Sequence, residues 1–260
     1  MSWLDRRVVV SSAAALVSEV LLGCRYDPTF WESEHLLARP GEVLGQGPTG
    51  LMSLPVGGSS GLLYVPNGLA PSRPLALLVL LHGAGGSPQT WFGGFGAIAD
   101  AANLIIVAPK SSGKVWDTSR GRAFRDDARF IDRALEGVFE RYAVDAKRLA
   151  VGGFSDGGSY ALSLGLANGD LFSQVIAFSP GYFAPSTPRG RPRIFVSHGT
   201  EDRILPIDST TRELVPRFRR EGYDVTAVEF DGGHEVPRGV TRKAFEWLLA
   251  GWNPPATPSR

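Results

Sequence analysis

The sequence predicts an α/β protein: a three-layer sandwich whose mostly parallel sheet of about seven or eight strands carries helices on both faces. Three observations lead there. From residue 61 onward, short apolar runs alternate with longer amphipathic stretches, the rhythm of right-handed strand–helix–strand crossovers. Several of the short runs are apolar without a break, as strands read when helices cover both faces. No long additional helical stretch interrupts the alternation, so no separate lid is expected.

The strands are read at "LLYVP" (62–66), "LALLVLLHG" (75–83), "LIIVAPK" (104–110), "RLAVGGF" (148–154), "QVIAFSP" (174–180), "RIFVSH" (193–198) and "DVTAVEF" (224–230). Between them, "FRDDARFIDRALEGVFERYAV" (124–144) gathers Phe130, Ile131, Leu135, Val138 and Phe139 near one helical face. "GGSYALSLGLANG" (157–169) is small and apolar, suited to close packing on a sheet. "PIDSTTRELVPRFRREGY" (206–223) offers Asp208 and Ser209 as a helix cap and Gly222 as its stop. "RKAFEWLLAGW" (242–252) closes a domain running from 61 to 253, and residues 254–260 read as a flexible tail.

The start of the chain is different. Arg6 and Arg7 precede a mostly apolar run that ends Leu21-Leu22-Gly23-Cys24. Residues 1–24 therefore read as an export signal with a twin-arginine start and a lipoprotein box, Cys24 being the lipidation candidate and the envelope membrane the implied anchor. Glu19 and Asp5 depart from that pattern, and the alternative is an ordinary N-terminal helix on a cytoplasmic protein. Residues 25–60, rich in Pro, Gly and Ser, read as a tether and lead-in with one short edge strand. Composition is that of a globular protein, 43% hydrophobic and 20% charged, with a net charge of +1. Scattered Lys and Arg argue against a nucleic-acid surface. One cysteine rules out an intramolecular disulfide or a CxxC site.

G-x-S-x-G occurs twice, around Ser155 (153–157) and around Ser59 (57–61). A nucleophilic serine on a strand-to-helix elbow needs an apolar strand before it, a helix after it, and small residues two positions away on either side. "RLAVGGF" and "GGSYALSLGL" satisfy this for Ser155. The other copy follows a Pro-containing loop and leads into a strand, so it reads as a turn.

A serine needs a base, and the base an orienting acid. Of the four histidines, His234 follows the last strand in the loop "DGGHEVP", and Asp202 follows "RIFVSH" in "HGTEDRILP". Catalytic groups gather at such carboxyl ends of strands. The triad expected is Ser155, Asp202 and His234. Glu201 and Asp231 are rival acids, Asp231 reading better as a turn former. His82 and His198 read as structural histidines. Two backbone donors are needed for an oxyanion: the N–H of Asp156 and, from the loop "HGAGGSPQTW", that of Ala84. Only the backbone N–H is used at that position, so the Asp156 side chain is free to vary, and a carboxylate in the first helical turn is favoured by the dipole.

Together "LLHGAGGS", "VWD", "DDARFIDRAL", "GFSDGGSYALSLG", "SHGTEDRILPI" and "FDGGHEVP" resemble the α/β-hydrolase superfamily. Within it they are most similar to compact, lidless bacterial esterases of the phospholipase/carboxylesterase and acyl-protein thioesterase kind. The resemblance implies a serine esterase with the same triad and oxyanion residues, and needs neither metal nor organic cofactor. Its substrate would be a small or lipid-like ester of short to medium acyl chain. Polyester depolymerase, feruloyl esterase, lysophospholipase, thioesterase and peptidase are alternatives on the same fold, and a non-catalytic exported binding module is a further one. Asp156 stands where the thioesterase branch commonly has Gln, so thioesterase specificity does not carry over. Trp91, Phe92, Trp116, Tyr182 and Phe183 are the substrate-pocket candidates, with core packing the competing role for each.

Overall fold

The computed structural model describes residues 34–54, 56, 60–67, 74–91, 96–120, 124–184 and 187–252. Cys24 and the rest of 1–24, Phe92, and the tail 254–260 lie outside the described residues. So do Gly57, Gly58 and Ser59 of the second serine motif.

Eight strands form one sheet: β1 (Gly50–Ser53), β2 (Gly61–Val65), β3 (Leu75–Leu81), β4 (Leu104–Pro109), β5 (Val144–Phe154), β6 (Gln174–Phe178), β7 (Arg193–Gly199) and β8 (Val225–Phe230). Their spatial order is β1-β2-β4-β3-β5-β6-β7-β8. β1 and β2 pair antiparallel, as do β2 and β4, and every pair from β4 to β8 is parallel. The chain reverses its direction of travel across the sheet at β3, whose neighbours are β4 and β5. Such a switch point opens a crevice at the carboxyl ends of the strands.

Among the described residues, five α-helices cover the sheet: α1 (Gly96–Ala102), α2 (Asp126–Phe139), α3 (Asp156–Ala167), α4 (Thr211–Arg220) and α5 (Arg238–Trp252). The two faces can be read off β3 residue by residue. Leu75, Leu77, Val79 and Leu81 pack with α2, α3 and α4, while Ala76, Leu78 and Leu80 pack with α1 and α5. Alternate residues of a strand point to opposite faces, and both faces here are apolar. All seven residues of β3 are buried, each large aliphatic side chain being worth about 2 kcal/mol.

The differences from the sequence reading are local. α4 begins at Thr211 rather than at Asp208-Ser209, which form a separate 3-10 turn (Ile207–Ser209). Neither caps the helix: Ser209 Oγ donates to the Pro206 carbonyl at 3.1 Å, and Asp208 pairs with Arg212 at 2.7 Å. β5 extends back to Val144, because Leu75 of β3 pairs with it across a bulge. α1 was not read from the sequence, and it buries only Ala99. Residues 34–39, part of the segment read as lead-in, are bound down. Asp132 Oδ1 accepts the N–H groups of Leu37 and Ala38 at 2.8 Å each, and Asn168 Oδ1 accepts that of Leu36 at 2.7 Å.

Candidate active site

β5 ends at Phe154, and α3 begins at Asp156. Ser155 makes the whole turn between them, at φ 58° and ψ −119°. A residue with a side chain occupies that region only where its surroundings force it. The surroundings do so by close backbone approach. A Cβ on Gly153 would lie 2.3 Å from the Gly157 carbonyl oxygen, and one on Gly157 would lie 2.3 Å from that of Leu81. Neither site admits a larger residue. Ser155 N–H donates to Phe178 O at 2.8 Å, and Ser155 O accepts the Ser159 N–H at 3.0 Å, which starts the helix.

His234 sits in the loop after β8, and Asp202 in the loop after β7. The two loops are fastened together: Thr200 N–H donates to Phe230 O and Glu201 N–H to Gly232 O, both at 2.9 Å. Gly199 allows the contact, since a Cβ there would lie 2.3 Å from Gly233 O. His234 Nε2 is 2.8 Å from Ser155 Oγ, and His234 Nδ1 is 2.6 Å from Asp202 Oδ2. The acceptor-only carboxylate requires the proton on Nδ1, which leaves Nε2 free to accept from the serine hydroxyl. The rival acids Glu201 and Asp231 are both exposed. The Phe154 ring lies 4.8 Å from the imidazole at a 37° tilt and supports it from one side.

Asp202 has a side chain with no exposed surface. Burial alone would raise its carboxyl. Hydrogen bonds from the Leu205 N–H, from His234 and from the Ile204 N–H outweigh that, and hold it below the ordinary carboxylate range. The buried acid therefore stays ionised.

In the loop after β3, His82 Nδ1–H donates to Gly83 O at 2.8 Å, and Gly86 N–H donates to the same oxygen at 2.9 Å. Ser111 N–H donates to His82 Nε2, which fixes this tautomer. The Gly83–Ala84 peptide is trans, so a carbonyl held toward His82 and Gly86 turns the Ala84 N–H the opposite way. A Cβ built on Gly83 would lie 3.4 Å from Ser155 Cβ, so this peptide passes beside the serine. The Asp156 N–H, in the first turn of α3, has no acceptor within the helix.

The Asp156 carboxylate is engaged by two loops. It is 8% exposed, and it accepts the Trp116 N–H at 2.8 Å, the Ser119 hydroxyl, and the Tyr182 hydroxyl at 3.3 Å. It ties the loop at 116–120 and the segment after β6 to the start of α3.

The pocket candidates separate. Trp116 is fully buried, its Nε1–H donating to His82 O at 2.8 Å, and Trp91 is buried against Phe178. Both are core residues. Phe183 packs edge-on against Phe218 of α4, under the Arg217 guanidinium. Tyr182 is half-buried beside Asp156, its hydroxyl also bonded to Thr118 and Ser119. Burial pushes its phenol up to about 12. Phe154, Ser119 and Thr118 were not foreseen from the sequence. Phe154 had a signal in its place before the serine, whereas Thr118 and Ser119, which follow "VWD", had none of their own.

A family model described as phospholipase/carboxylesterase matches residues 122–247. The chain is 30% identical over 163 residues to feruloyl esterase C of Emericella nidulans, an alignment covering 59% of this chain and 58% of that one. It is 27% identical over 221 residues to a probable feruloyl esterase C of Aspergillus terreus, covering 71% and 80%. Among solved structures it matches esterase PE8 with a TM-score of 0.60 at 21% identity, over 73% of this chain and 97% of that one. A Bacillus cereus carboxylesterase matches with a TM-score of 0.59 at 20% identity, over 75% and 95%. The chain has the α/β-hydrolase fold. The candidate site lies where the strand order of this fold predicts, at the carboxyl ends of β5, β7 and β8 beside the switch at β3.

Proposed function

We propose that this α/β-hydrolase cleaves carboxylic esters of short to medium acyl chain through an acyl-enzyme on Ser155. The observation that carries the reading is the unbroken hydrogen-bonded run from Ser155 Oγ through His234 to Asp202. In this reading His234 Nε2 takes the serine proton as Oγ attacks the ester carbonyl. Asp202 holds the ring and stabilises the imidazolium. The N–H groups of Ala84 and Asp156 receive the oxyanion, at roughly 3–4 kcal/mol per donor. His234 then returns the proton to the leaving alcohol. A water deprotonated by the same nitrogen attacks the acyl-enzyme and releases the acid.

Fluorophosphonate labelling tests this. The wild type takes the probe and Ser155→Ala does not; equal labelling of both, or of neither, removes the reading and favours a non-catalytic binding module. A series of p-nitrophenyl esters of increasing length, with an amide analogue beside it, separates esterase from lipase-like and peptidase preferences. The relatives named as feruloyl esterases favour a second reading, in which the acyl group is a hydroxycinnamate. A kcat/KM for methyl ferulate above that for p-nitrophenyl butyrate supports it.

We further propose that the chain is exported and lipidated at Cys24, on the strength of Arg6-Arg7, the apolar run and the Leu-Leu-Gly-Cys sequence. Mass spectrometry of the mature N-terminus tests this, a free or absent diacylglyceryl group on Cys24 arguing against it.

A further inference from the structure

We infer that His198 is a positioning residue: its Nε2–H is a second donor to the Asp202 oxygen that His234 uses, and it sets which carboxylate oxygen faces His234. The inference rests on the proposed roles of Ser155, His234 and Asp202.

His198 is the penultimate residue of β7, with no exposed side-chain surface. Its Nε2 lies 2.8 Å from Leu205 O and 3.2 Å from Asp202 Oδ2. A carbonyl and an ionised carboxylate only accept, so the proton is on Nε2. Nδ1, 2.7 Å from Thr211 Oγ1, then accepts that hydroxyl's proton. Burial lowers the tendency of the imidazole to take a second proton, so it stays neutral.

The contacts close a ring. Leu205 gives its N–H to Asp202 Oδ1 at 2.9 Å and its carbonyl to His198, while His198 faces Asp202 Oδ2. Ile204 N–H also donates to Oδ1 at 2.9 Å. Rotation of the carboxylate about its last torsion breaks bonds at both oxygens, so Oδ1 belongs to the backbone and Oδ2 to the histidines. Among neighbouring charges, Glu229 is opposite His198 in the sheet but is held by both Nε and Nη2 of Arg212. The anion that His198 meets directly is Asp202, with His234 beyond it.

Three substitutions test this. His198→Leu removes the donor. Thr211→Val removes the hydroxyl that holds the ring at Nδ1, while keeping the side-chain shape. His198→Gln keeps an N–H near the position of Nε2. Without the second donor, Oδ2 bonds more strongly to His234 Nδ1–H and favours the imidazolium. The acid limb of kcat/KM for p-nitrophenyl acetate should then move to higher pH by about half a unit, with kcat down about tenfold and KM little changed. His198→Gln should return the limb toward the wild-type position.

The low-field proton resonance of His234 Nδ1–H should move further downfield in His198→Leu and Thr211→Val. Recorded in a Ser155→Ala background, it needs no turnover, so it judges His198 even if the fluorophosphonate test defeats the esterase reading. An acid limb and a resonance at wild-type positions in Thr211→Val, and in whichever His198 variants fold, overturn the inference even if their melting temperatures fall. Thr211→Val decides the matter if His198→Leu does not fold.

Discussion

Asp117 opens the 3-10 turn (Asp117–Arg120) that carries Thr118 and Ser119 to Tyr182, and it is 4% exposed. It is locked to Asp127, which is 1% exposed: Asp117 Oδ2 accepts the N–H groups of Arg125 at 2.8 Å and Asp127 at 3.2 Å, while Asp127 Oδ2 accepts the Asp117 N–H at 2.8 Å. Among the described residues, Asp117 Oδ1 receives no hydrogen bond. Burial, helped by the negative charge of Asp127, pushes the Asp117 carboxyl up from 3.8 to about 6 against the backbone donors. The sign follows from proton counting. Between those two values the folded state holds a proton that the unfolded state has lost, so stability falls as pH rises. The contribution is fully present below 3.8 and gone above about 6. At 1.36 kcal/mol per pH unit, the rise corresponds to about 3 kcal/mol. Asp117→Asn can still accept the two N–H groups but cannot titrate. Urea unfolding of both proteins across roughly pH 4 to 8 should therefore show the wild type losing about 3 kcal/mol relative to the variant, mostly below pH 6. A gap between the two proteins that stays constant over that range refutes the argument.

Three further predictions concern the elbow and α5. Gly157→Ala places a methyl 2.3 Å from the Leu81 carbonyl; overpacking against backbone should cost about 3 kcal/mol or prevent folding. Gly239→Ala in α5 meets nothing within 4 Å and should be neutral or stabilising by up to about 1 kcal/mol; paired thermal melts check both. Asp156→Ala leaves the buried Trp116 N–H without its acceptor and removes the carboxylate that the Ser119 and Tyr182 hydroxyls share. Ester kcat/KM should drop by about ten- to a hundredfold, since a buried donor left without a partner loosens the start of α3. Asp156→Asn, which retains an acceptor for Trp116, should recover part of that loss in the same steady-state assay.

What was legible in this sequence was mostly written in its apolar residues. A strand covered on both faces has to be continuously apolar, so β3, β4 and β6 announced themselves, and the sheet followed from their alternation with helices. The elbow was legible for a related reason: steric exclusion at two positions leaves only glycine, and the strand before it and helix after it distinguish it from "GGSSG". Polar residues carry no such period. Asp132 and Asn168 bind backbone N–H groups some 94 to 132 residues away, so nothing local marked residues 34–39 as attached. Asp156 looked like an ordinary first-turn acid, because the three donors it serves come from two distant loops. Trp116 and Trp91 have neighbours in sequence that belong to site loops, so a pocket and a core role both fitted them, and in the fold both are buried. His198 was read as structural, and in its contacts it is: it bonds a backbone carbonyl and a hydroxyl. Its third neighbour is the acid that orients His234, and that proximity is set by the turn at 202–205 rather than by any spacing in the motif. The serine, histidine and aspartate that the fold brings together can thus be picked out by residue type and order, whereas the groups that hold them in place are specified only once the sheet brings distant loops to one edge.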